Sequence, residues 1–278
     1  MSRAPVRPKV AFQGEPGAFS HEAVMQLAGP RARIHPCPRF EDVFVALRDR
    51  LVDAAVIPIE NTLHGSVHEN YDHLLHFDHH ITGETNVRIV HNLIAAPGVR
   101  FSQLRRVFSH PVALNQCLNF LAANPQLERT PFYDTAGSVR DLQRSGDRHT
   151  AALASRLAAE VYGMHVLREG LEDDKQNFTR FLLLGREPAT ASGESKTSIV
   201  FALQNQPGAL FRALACFALR DIDLTKIESR PLPGLPWKYR FYLDFLGRAH
   251  DERSQRALAH LSEMTTELRV LGSYPRGG

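Results

Sequence analysis

The chain has 278 residues, a length that predicts about two domains. Apolar residues make up 43% and charged residues 23%, which excludes a disordered chain, a collagen-like fibre and a coiled coil. The 33 basic and 30 acidic residues leave a formal net charge of +3, a balance that gives no reason to expect nucleic acid as a partner.

Cysteine usage and the absence of targeting patterns bear on where the protein works. The three cysteines, Cys37, Cys117 and Cys216, form no even set and no CxxC pair, which favours free thiols in a reducing compartment. No apolar run reaches the roughly 18 residues of a membrane helix. The N-terminal segment runs into Val10 without a signal-peptide core. We therefore expect a cytoplasmic protein with no membrane partner.

Up to residue 186 the hydrophobic pattern alternates between strands and helices. The predicted strands are Val10–Phe12, Ala54–Ile59, Arg88–Ala95, Val107–Ser109 and Phe181–Leu184, and the predicted helices are Ser20–Leu27, Phe40–Arg50, Ala113–Ala123 and the alanine-rich Ala151–Tyr162. This alternation predicts an α/β domain that binds ligands at the carboxyl ends of its strands. The stretch is long enough to form two lobes around a cleft.

A linker and a second, smaller domain follow. Residues 187–196 are rich in Ala, Ser, Thr, Gly and Glu, which predicts a linker. Beyond it we predict strands at Thr197–Leu203, Thr225–Pro231, Trp237–Leu246 and Glu267–Gly272, helices at Gly208–Leu219 and Glu252–Met264, and a turn at Pro233–Pro236. The order βαββαβ over residues 197–274 is typical of a ferredoxin-like α+β domain.

Polar motifs follow two of the early strands. Gln13 and Gly14 begin a glycine-containing loop that either approaches an anion or forms an ordinary turn. Its spacing matches neither GxGxxG nor a P-loop. Glu60, Asn61 and Thr62 follow the strand Ala54–Ile59, where they either bind a polar ligand or act as turn and cap residues.

A third motif stands at the entrance of the strand that closes the first domain. There Thr179 can donate a hydrogen bond to a leaving hydroxyl, and Arg180 can bind a carboxylate. The alternative is an edge-strand threonine beside a surface arginine. Composition alone leaves both interpretations open.

Histidine and nucleophile patterns give weaker signals. Six histidines lie between His64 and His80, and His64 and His68 have the spacing of metal ligands on a helix. Because no HExxH motif or companion cysteine completes a site, the pattern favours a solvent-exposed helix face, and we predict no metal. Ser109 precedes His110 without a GxSxG motif, so a hydrolase triad has no support. Cys117 is interpreted as a core residue.

The order of the motifs is more specific than any one of them. The series GEPGAFSHEA, VIPIENTLHGSV, SHPVALNQC, TAGSV, AALAS and NFTRF resembles the prephenate dehydratase family over residues 8–186. Residues 197–274 resemble that family's regulatory ACT domain, with Gly208–Phe211 and Glu228–Pro231 as its two effector motifs. The resemblance implies a two-lobed, periplasmic-binding-protein-like catalytic domain followed by a ferredoxin-like ACT domain.

The resemblance also implies a reaction and the residues that perform it. The reaction is the decarboxylative dehydration of prephenate to phenylpyruvate, water and CO2 in phenylalanine biosynthesis, with no cofactor. Thr179 would be the catalytic donor, and the substrate-binding residues would be Gln13, Gly14, Glu60, Asn61, Thr62, Ser109, Gln116, Arg180 and Phe181. L-phenylalanine would act as effector in a homo-oligomer, dimer or tetramer, at Gly208, Ala209, Leu210, Phe211, Glu228, Ser229 and Arg230.

Two alternatives to this interpretation stay open. Thr62 stands where the family usually has serine, Val112 stands where it commonly has glutamine, and His68–Asp72 and Phe217–Pro231 look like arogenate-using plant relatives. An arogenate dehydratase that makes phenylalanine directly therefore remains possible. The other alternative is an amino-acid-sensing binding protein without turnover, against which the intact NFTRF motif and the missing export signal both argue.

Overall fold

The computed structural model describes residues 7–190, 193–232, 234 and 238–277. Within the described chain no helix is long and apolar enough to span a membrane. Most of the predicted turn at Pro233–Pro236 lies outside the described residues, as do Trp237 and positions 191 and 192 of the predicted linker. The chain divides into two compact units, one made of residues up to Phe77 with Thr85–Leu182, the other of Asp78–Glu84 with the residues from Leu183 onward.

Eleven strands and seven helices are described up to Gly185. In chain order they are β1 (Lys9–Gln13), α1 (Phe19–Ala28), β2 (Arg33–Cys37), α2 (Phe40–Arg48), β3 (Ala54–Asn61), β4 (Gly65–Ser66), α3 (His68–His76), β5 (His80–Arg88), β6 (Asn92–Ala95), a 3₁₀ turn (Phe101–Gln103), β7 (Arg106–Ser109), α4 (Pro111–Asn115), α5 (Leu118–Ala122), β8 (Glu128–Pro131), α6 (Thr135–Ser145), β9 (Thr150–Ala154), α7 (Arg156–Tyr162), β10 (His165–Arg168) and β11 (Phe178–Gly185).

These strands form two sheets. The first has the order β2-β1-β3-β11-β5 with β4 beside β3, and β1 runs parallel to both of its neighbours. Val10, Ala11 and Phe12 are fully buried there, as expected for a parallel strand covered on both faces. The second sheet has the order β10-β6-β9-β7-β8, with β7 parallel to β8 and β9. The predicted α/β architecture is confirmed.

The predicted helix Ala151–Tyr162 is wrong, because its first part is the strand β9. All five residues of β9 are buried, and the strand lies between β6 and β7. Alanine favours helices, but a central position in a sheet overrides this weak preference. Ser155 then begins α7, since its Oγ accepts a hydrogen bond of 3.0 Å from the backbone N–H of Ala158.

Two other predicted elements are each divided by a break. The predicted helix Ala113–Ala123 is α4 and α5, because Asp173 accepts the N–H groups of Leu118 and Asn119 at 2.8 and 3.1 Å and so starts a new helix. The predicted strand Arg88–Ala95 is divided into the end of β5 and the whole of β6. The first break contains Gln116 and the second contains His91, and both side chains are buried.

Helix boundaries also differ from the predictions. α1 begins at Phe19, one residue before the predicted start, and Ser20 lies buried in its first turn. In the loop before α1 the backbone N–H of Gly17 donates to the His21 imidazole at 3.1 Å. α2 ends at Arg48, two residues before the predicted end, and Arg50 adopts a positive φ of 58°.

The second unit carries the predicted βαββαβ order. Its elements are β12 (Ser195–Leu203), α8 (Ala209–Ala218), β13 (Leu224–Pro231), β14 (Tyr239–Leu246), α9 (Glu252–Ser262) and β15 (Thr265–Pro275). They form an antiparallel sheet of order β13-β14-β12-β15, and Phe201, Phe217 and Phe245 are fully buried in its core. β12 begins two residues inside the predicted linker.

Candidate active site

A cavity of about 280 Å³ in the first unit is lined by residues of β3, β11, α1, α4 and α6 and of the segments that connect such elements. This volume is close to the lower end of small-molecule sites, which span roughly 300–1,000 Å³. Of the predicted site residues, Asn61, Gln116 and Thr179 line the cavity. The lining also contains Phe19, His64, His91, His110 and Thr135.

Thr179 is held by Asn61 across two adjacent strands. The carboxyl end of β3 and the start of β11 bring these residues together although they lie 118 positions apart. The Asn61 amide nitrogen, Nδ2, lies 2.9 Å from Thr179 Oγ1 and also contacts Asn177 Oδ1 at 2.8 Å and the Phe178 carbonyl at 3.1 Å. Thr179 is 9% exposed, so its hydroxyl stands at the cavity wall and not in bulk water.

The orientation of the Asn61 amide decides what the Thr179 hydroxyl can do. Asn61 Oδ1 accepts the backbone N–H groups of Leu63 and His64, each at 3.0 Å, so the amide nitrogen faces Thr179. Thr179 Oγ1 is then an acceptor toward Asn61. Because a hydroxyl has one proton and two lone pairs, that proton stays available to an oxygen in the cavity.

Thr62 has a structural position beside this pair. Its hydroxyl donates to the Gln176 carbonyl at 2.6 Å and accepts from the Phe178 N–H at 3.0 Å. The Thr62 N–H donates to the Phe178 carbonyl at 2.9 Å. These bonds tie the segment after β3 to the entrance of β11, and either serine or threonine could make them.

The other predicted substrate residues lie outside the cavity lining. Ser109 is fully buried and its hydroxyl donates to the Leu153 carbonyl at 2.6 Å, while Phe181 is a core residue. Gln13 contacts the Pro38 carbonyl at 3.5 Å. Gly14, Glu60, Thr62 and Arg180 are likewise absent from the lining. Direct substrate contact by these seven residues stays a prediction.

Gln116 is part of a hydrogen-bonded group that the sequence did not indicate. It follows α4 at the break before α5, and its Oε1 lies 2.7 Å from His91 Nε2. Its Nε2 lies 3.2 Å from His64 Nδ1. Burial lowers the pKa of His91, which is therefore neutral at physiological pH.

The position of His91 is fixed from behind by a buried carboxylate. Glu172 is 3% exposed and accepts the His91 backbone N–H at 3.0 Å. Its other oxygen lies 3.2 Å from Arg88 and 3.1 Å from Lys175. The residues between β5 and β6 are thus anchored, which explains why this break presents an imidazole to the cavity.

The N-termini of two helices lie at the cavity wall. Phe19 is the first residue of α1 and Thr135 the first of α6, and both residues line the cavity. The unpaired N–H groups of a helix start favour a bound anion. Asp134 caps α6 through the Gly137 N–H at 2.7 Å, and burial raises the pKa of this carboxyl.

The glycine-containing loop after β1 contacts α6 and α7. Glu15 pairs with Arg140 at 2.7 Å and accepts the Tyr133 hydroxyl at 2.8 Å. A Cβ on Gly17 would lie 2.6 Å from the Cα of Ala158, so the loop and α7 approach as closely as glycine and alanine allow. The loop therefore connects the end of β1 with α6 and α7. Its conformation is that of the ordinary turn considered in the sequence analysis.

The histidine cluster divides into residues with different surroundings. Among the described residues no group of three or more His, Cys, Asp or Glu side chains is arranged to hold a metal ion. His68 and His76 are exposed on α3, whereas His73 packs 5.0 Å from the Phe44 ring and His79 is 3% exposed. The exposed-face interpretation fits only part of the cluster, and His64 precedes the helix.

The predicted effector residues stand on α8 and β13 of the second unit. Gly208 has a positive φ of 75° and precedes α8. Ala209 and Leu210 line a cavity of about 130 Å³ together with Leu203, Gln204, Asn205, Gln206, Tyr239 and Phe241. Phe211 is 76% exposed. Glu228, Ser229 and Arg230 pair with Tyr242, Phe241 and Arg240 of β14. Effector binding by these residues stays a prediction.

Comparison with known proteins identifies the family. The family model described as prephenate dehydratase matches residues 10–189. The chain belongs to the prephenate dehydratase family. The resemblance in the sequence motifs is thereby confirmed, and membership assigns the chain to the dehydratases, a class of lyases.

Individual relatives and solved structures are similar to nearly the whole of this chain. Arogenate dehydratase/prephenate dehydratase 2, chloroplastic, of Arabidopsis thaliana is 47% identical over 280 residues, which cover 97% of this chain and 73% of the relative. Prephenate dehydratase from Arthrobacter aurescens, solved in complex with L-Phe, is 34% identical with a TM-score of 0.87, over 96% of this chain and 90% of that one. GqqA, described as a novel type of quorum quenching acylase, is 34% identical with a TM-score of 0.89, over 96% and 97% of the two chains.

The sequence indicated Asn61, Gln116 and Thr179 as site residues through the family motifs, but it assigned no binding role to four other lining residues, three of which stand within those motifs. Phe19 and Thr135 line the cavity only because helices begin there. His91 stands in a break that the hydrophobic pattern did not show, and His110 was considered only as a triad member. His64 was noted for its spacing to His68, whereas its contacts are to Asn61 and Gln116.

Proposed function

We propose that this chain converts prephenate to phenylpyruvate, water and CO2. The observation that carries the proposal is the Thr179 hydroxyl, whose oxygen accepts from Asn61 so that its proton is available in the cavity. A hydrogen-bond donor fixed before the reaction stabilises charge on a departing oxygen more than water does. Family membership supplies the reaction class.

The reaction balances with one proton taken up. The bond between the ring and its carboxylate breaks and its electron pair enters the ring, while the C4–oxygen bond breaks and the oxygen leaves with that bond's electrons. The hydroxide formed takes a proton to become water, and the aromatic product makes the step strongly favourable. Thr179 donates a hydrogen bond to this oxygen as charge develops. A threonine hydroxyl is too weak an acid for proton transfer in advance.

The cavity suits an anionic substrate. The N-termini of α1 and α6 meet at its wall, and Gln116 adds an amide that can bind a substrate oxygen. Thr179 is only 9% exposed, so water has limited access to its hydroxyl, which strengthens electrostatic interactions there. No step in this chemistry requires a cofactor.

The lining favours prephenate over arogenate as the substrate. Arogenate carries an ammonium group where prephenate has a keto oxygen, and an enclosed ammonium is stabilised by a carboxylate. The described residues that line the cavity include no aspartate or glutamate. Arogenate dehydratase is the alternative, supported by relatives such as arogenate dehydratase/prephenate dehydratase 2 of Arabidopsis thaliana at 47% identity.

We further propose that residues 197–274 form a regulatory ACT domain that binds L-phenylalanine and joins subunits into a homo-oligomer. The βαββαβ order, the loop at Gly208 and the cavity at Ala209 and Leu210 support this proposal. The Arthrobacter aurescens relative was solved with L-Phe. A cytoplasmic location is supported by Cys37, Cys117 and Cys216, which are all free and buried.

Parallel turnover assays test the function. Prephenate and arogenate are supplied separately to the purified chain, and phenylpyruvate, phenylalanine and CO2 are quantified, with L-phenylalanine added at saturating substrate in a second series. We expect a higher kcat/KM for prephenate, with equal amounts of phenylpyruvate and CO2, and inhibition that saturating substrate does not abolish. A higher kcat/KM for arogenate would reassign the substrate. Binding without turnover of either compound would leave the sensing alternative.

A further inference from the structure

The side chain of His64 lies between Asn61 and Gln116, two residues that line the proposed active site. It follows β3, lines the cavity and is exposed to solvent, so it stands at the cavity mouth. Its Nδ1 lies 3.2 Å from Asn61 Oδ1 and 3.2 Å from Gln116 Nε2. One ring nitrogen therefore faces an oxygen acceptor on one side and an N–H donor on the other, and its protonation decides which of them it bonds.

The hydrogen bonds of Asn61 resolve this choice. Asn61 Oδ1 already accepts two backbone N–H groups at 3.0 Å, which occupy both of its lone pairs. It needs no donor from His64. The Gln116 amide, in contrast, has its oxygen 2.7 Å from His91 Nε2 and its nitrogen directed to His64. His64 Nδ1 is thus an unprotonated acceptor, and the proton of the neutral ring is on Nε2.

The two imidazoles hold opposite ends of one amide. His91 donates from Nε2 to the Gln116 oxygen, and His64 accepts from the Gln116 nitrogen. Burial lowers the pKa of His91, so the ring is neutral and carries a single N–H, which lies on Nε2 where the Gln116 oxygen faces it at 2.7 Å. The second N–H of Gln116 has no partner among the described residues and is available to an oxygen in the cavity.

We propose that His64 is a positioning residue that fixes the amide orientation of Gln116, so that one amide N–H faces the substrate. The proposal rests on the dehydratase function and adds to it a role for a residue that the family resemblance did not assign to the site. His64 acts through Gln116 and not on the leaving hydroxyl, because the bond that His64 gives to Asn61 comes from its backbone N–H, which stays in place when the side chain is changed.

Steady-state kinetics on the full-length chain separate this role from a structural one. Gln116 binds an oxygen that is present before and during the reaction, so losing its orientation raises KM and leaves kcat nearly unchanged. For His64→Ala we expect KM for prephenate to rise about tenfold, the upper end for one hydrogen bond. A merely unstable protein would instead lose kcat in proportion to its inactive fraction, at unchanged KM.

Matched variants identify the atom that matters. His64→Asn places an amide near the Nδ1 position and should recover most of the KM, whereas His64→Gln places it near Nε2 and should not. His68→Ala, an exposed histidine of the same cluster that does not line the cavity, should leave KM and kcat as in the wild type. In a Gln116→Ala background, His64→Ala should have no further effect on KM. An unchanged KM in His64→Ala, or full additivity with Gln116→Ala, would overturn the proposal.

A spectroscopic measurement keeps the proposal testable if the chain turns over neither substrate. Nitrogen NMR of the ¹⁵N-histidine-labelled, ligand-free chain is recorded at about pH 8, where histidine is neutral. The His64 signals, assigned by comparison with His64→Ala, should show an unprotonated Nδ1 and a protonated Nε2. The Nδ1 signal should shift in Gln116→Ala. A protonated Nδ1 would refute the assignment regardless of the reaction that the chain catalyses.

Discussion

Replacing Thr179 by valine removes the proposed donor while leaving the shape of the side chain. The hydroxyl accepts one bond, 2.9 Å from Asn61 Nδ2, and that amide keeps Asn177 Oδ1 at 2.8 Å and the Phe178 carbonyl at 3.1 Å as partners. The unfolding free energy should therefore fall by only about 1 kcal/mol. Loss of one preorganised donor lowers kcat by roughly 10²–10³, so activity should suffer far more than stability.

The assay combines initial rates of phenylpyruvate formation with thermal unfolding of the same samples. We expect Thr179→Val to shift Tm by only a few degrees, about 2–4 °C, and Thr179→Ser to retain most of the activity. Thr150→Val is the matched control, because Thr150 is a buried strand threonine whose hydroxyl donates to Asp147 at 2.6 Å outside the proposed site. It should lose stability and keep kcat. Near-wild-type kcat in Thr179→Val would refute the role of the hydroxyl.

Three further predictions concern charge, regulation and pH. Asn61→Asp replaces the N–H donor by an acceptor, so the Thr179 proton bonds to the carboxylate and kcat should fall about 10²-fold; unchanged turnover would contradict the assigned amide orientation. Gly208→Val introduces a branched side chain at φ +75° and should weaken inhibition by phenylalanine, whereas Gly146→Val, at φ +63° on a turn with open space, should leave inhibition intact. Burial raises the pKa of Glu22 from 4.5 to about 7, so this group binds more protons in the folded state and stability is lost as pH rises through that range. Glu22→Gln should thus raise Tm at about pH 8 and not at about pH 4, and equal shifts at both pH values would contradict this linkage.

Much of the fold can be predicted from hydrophobic periodicity, because apolar residues recur at the positions that each helix or strand buries. Val10–Phe12 and Ala54–Ile59 are continuous apolar runs in the middle of a parallel sheet, where both faces are covered. The helices α8 and α9 keep one apolar face because they cover only one side of a sheet. In these elements local pattern and tertiary context agree, and the predicted type was correct.

Prediction failed where distant residues decide a local structure. The alanines of β9 favour a helix by themselves, and only their place between β6 and β7 makes them a strand. The break between α4 and α5 depends on Asp173, more than fifty positions away. His91 became a cavity residue through the buried Glu172, another long-range contact.

The site was accessible from sequence only through the family motifs. Nothing in local spacing indicates that Asn61 and Thr179 meet, since the order of strands in the sheet brings them together. The polarity of the Gln116 amide depends on two imidazoles that come from different elements. Which atom donates and which accepts in such a hydrogen bond can be assigned only from three-dimensional positions. The motifs therefore identified residues of the site but not their roles.

A crystal structure of Thr179→Val with prephenate bound would test the central claim most directly, because the slow variant preserves the substrate. The account predicts that the C4 hydroxyl of prephenate lies against the side chain at position 179, and that a substrate oxygen lies within about 3.2 Å of the Gln116 amide nitrogen. Prephenate bound elsewhere, or bound here with its C4 hydroxyl directed away from position 179, would contradict the account.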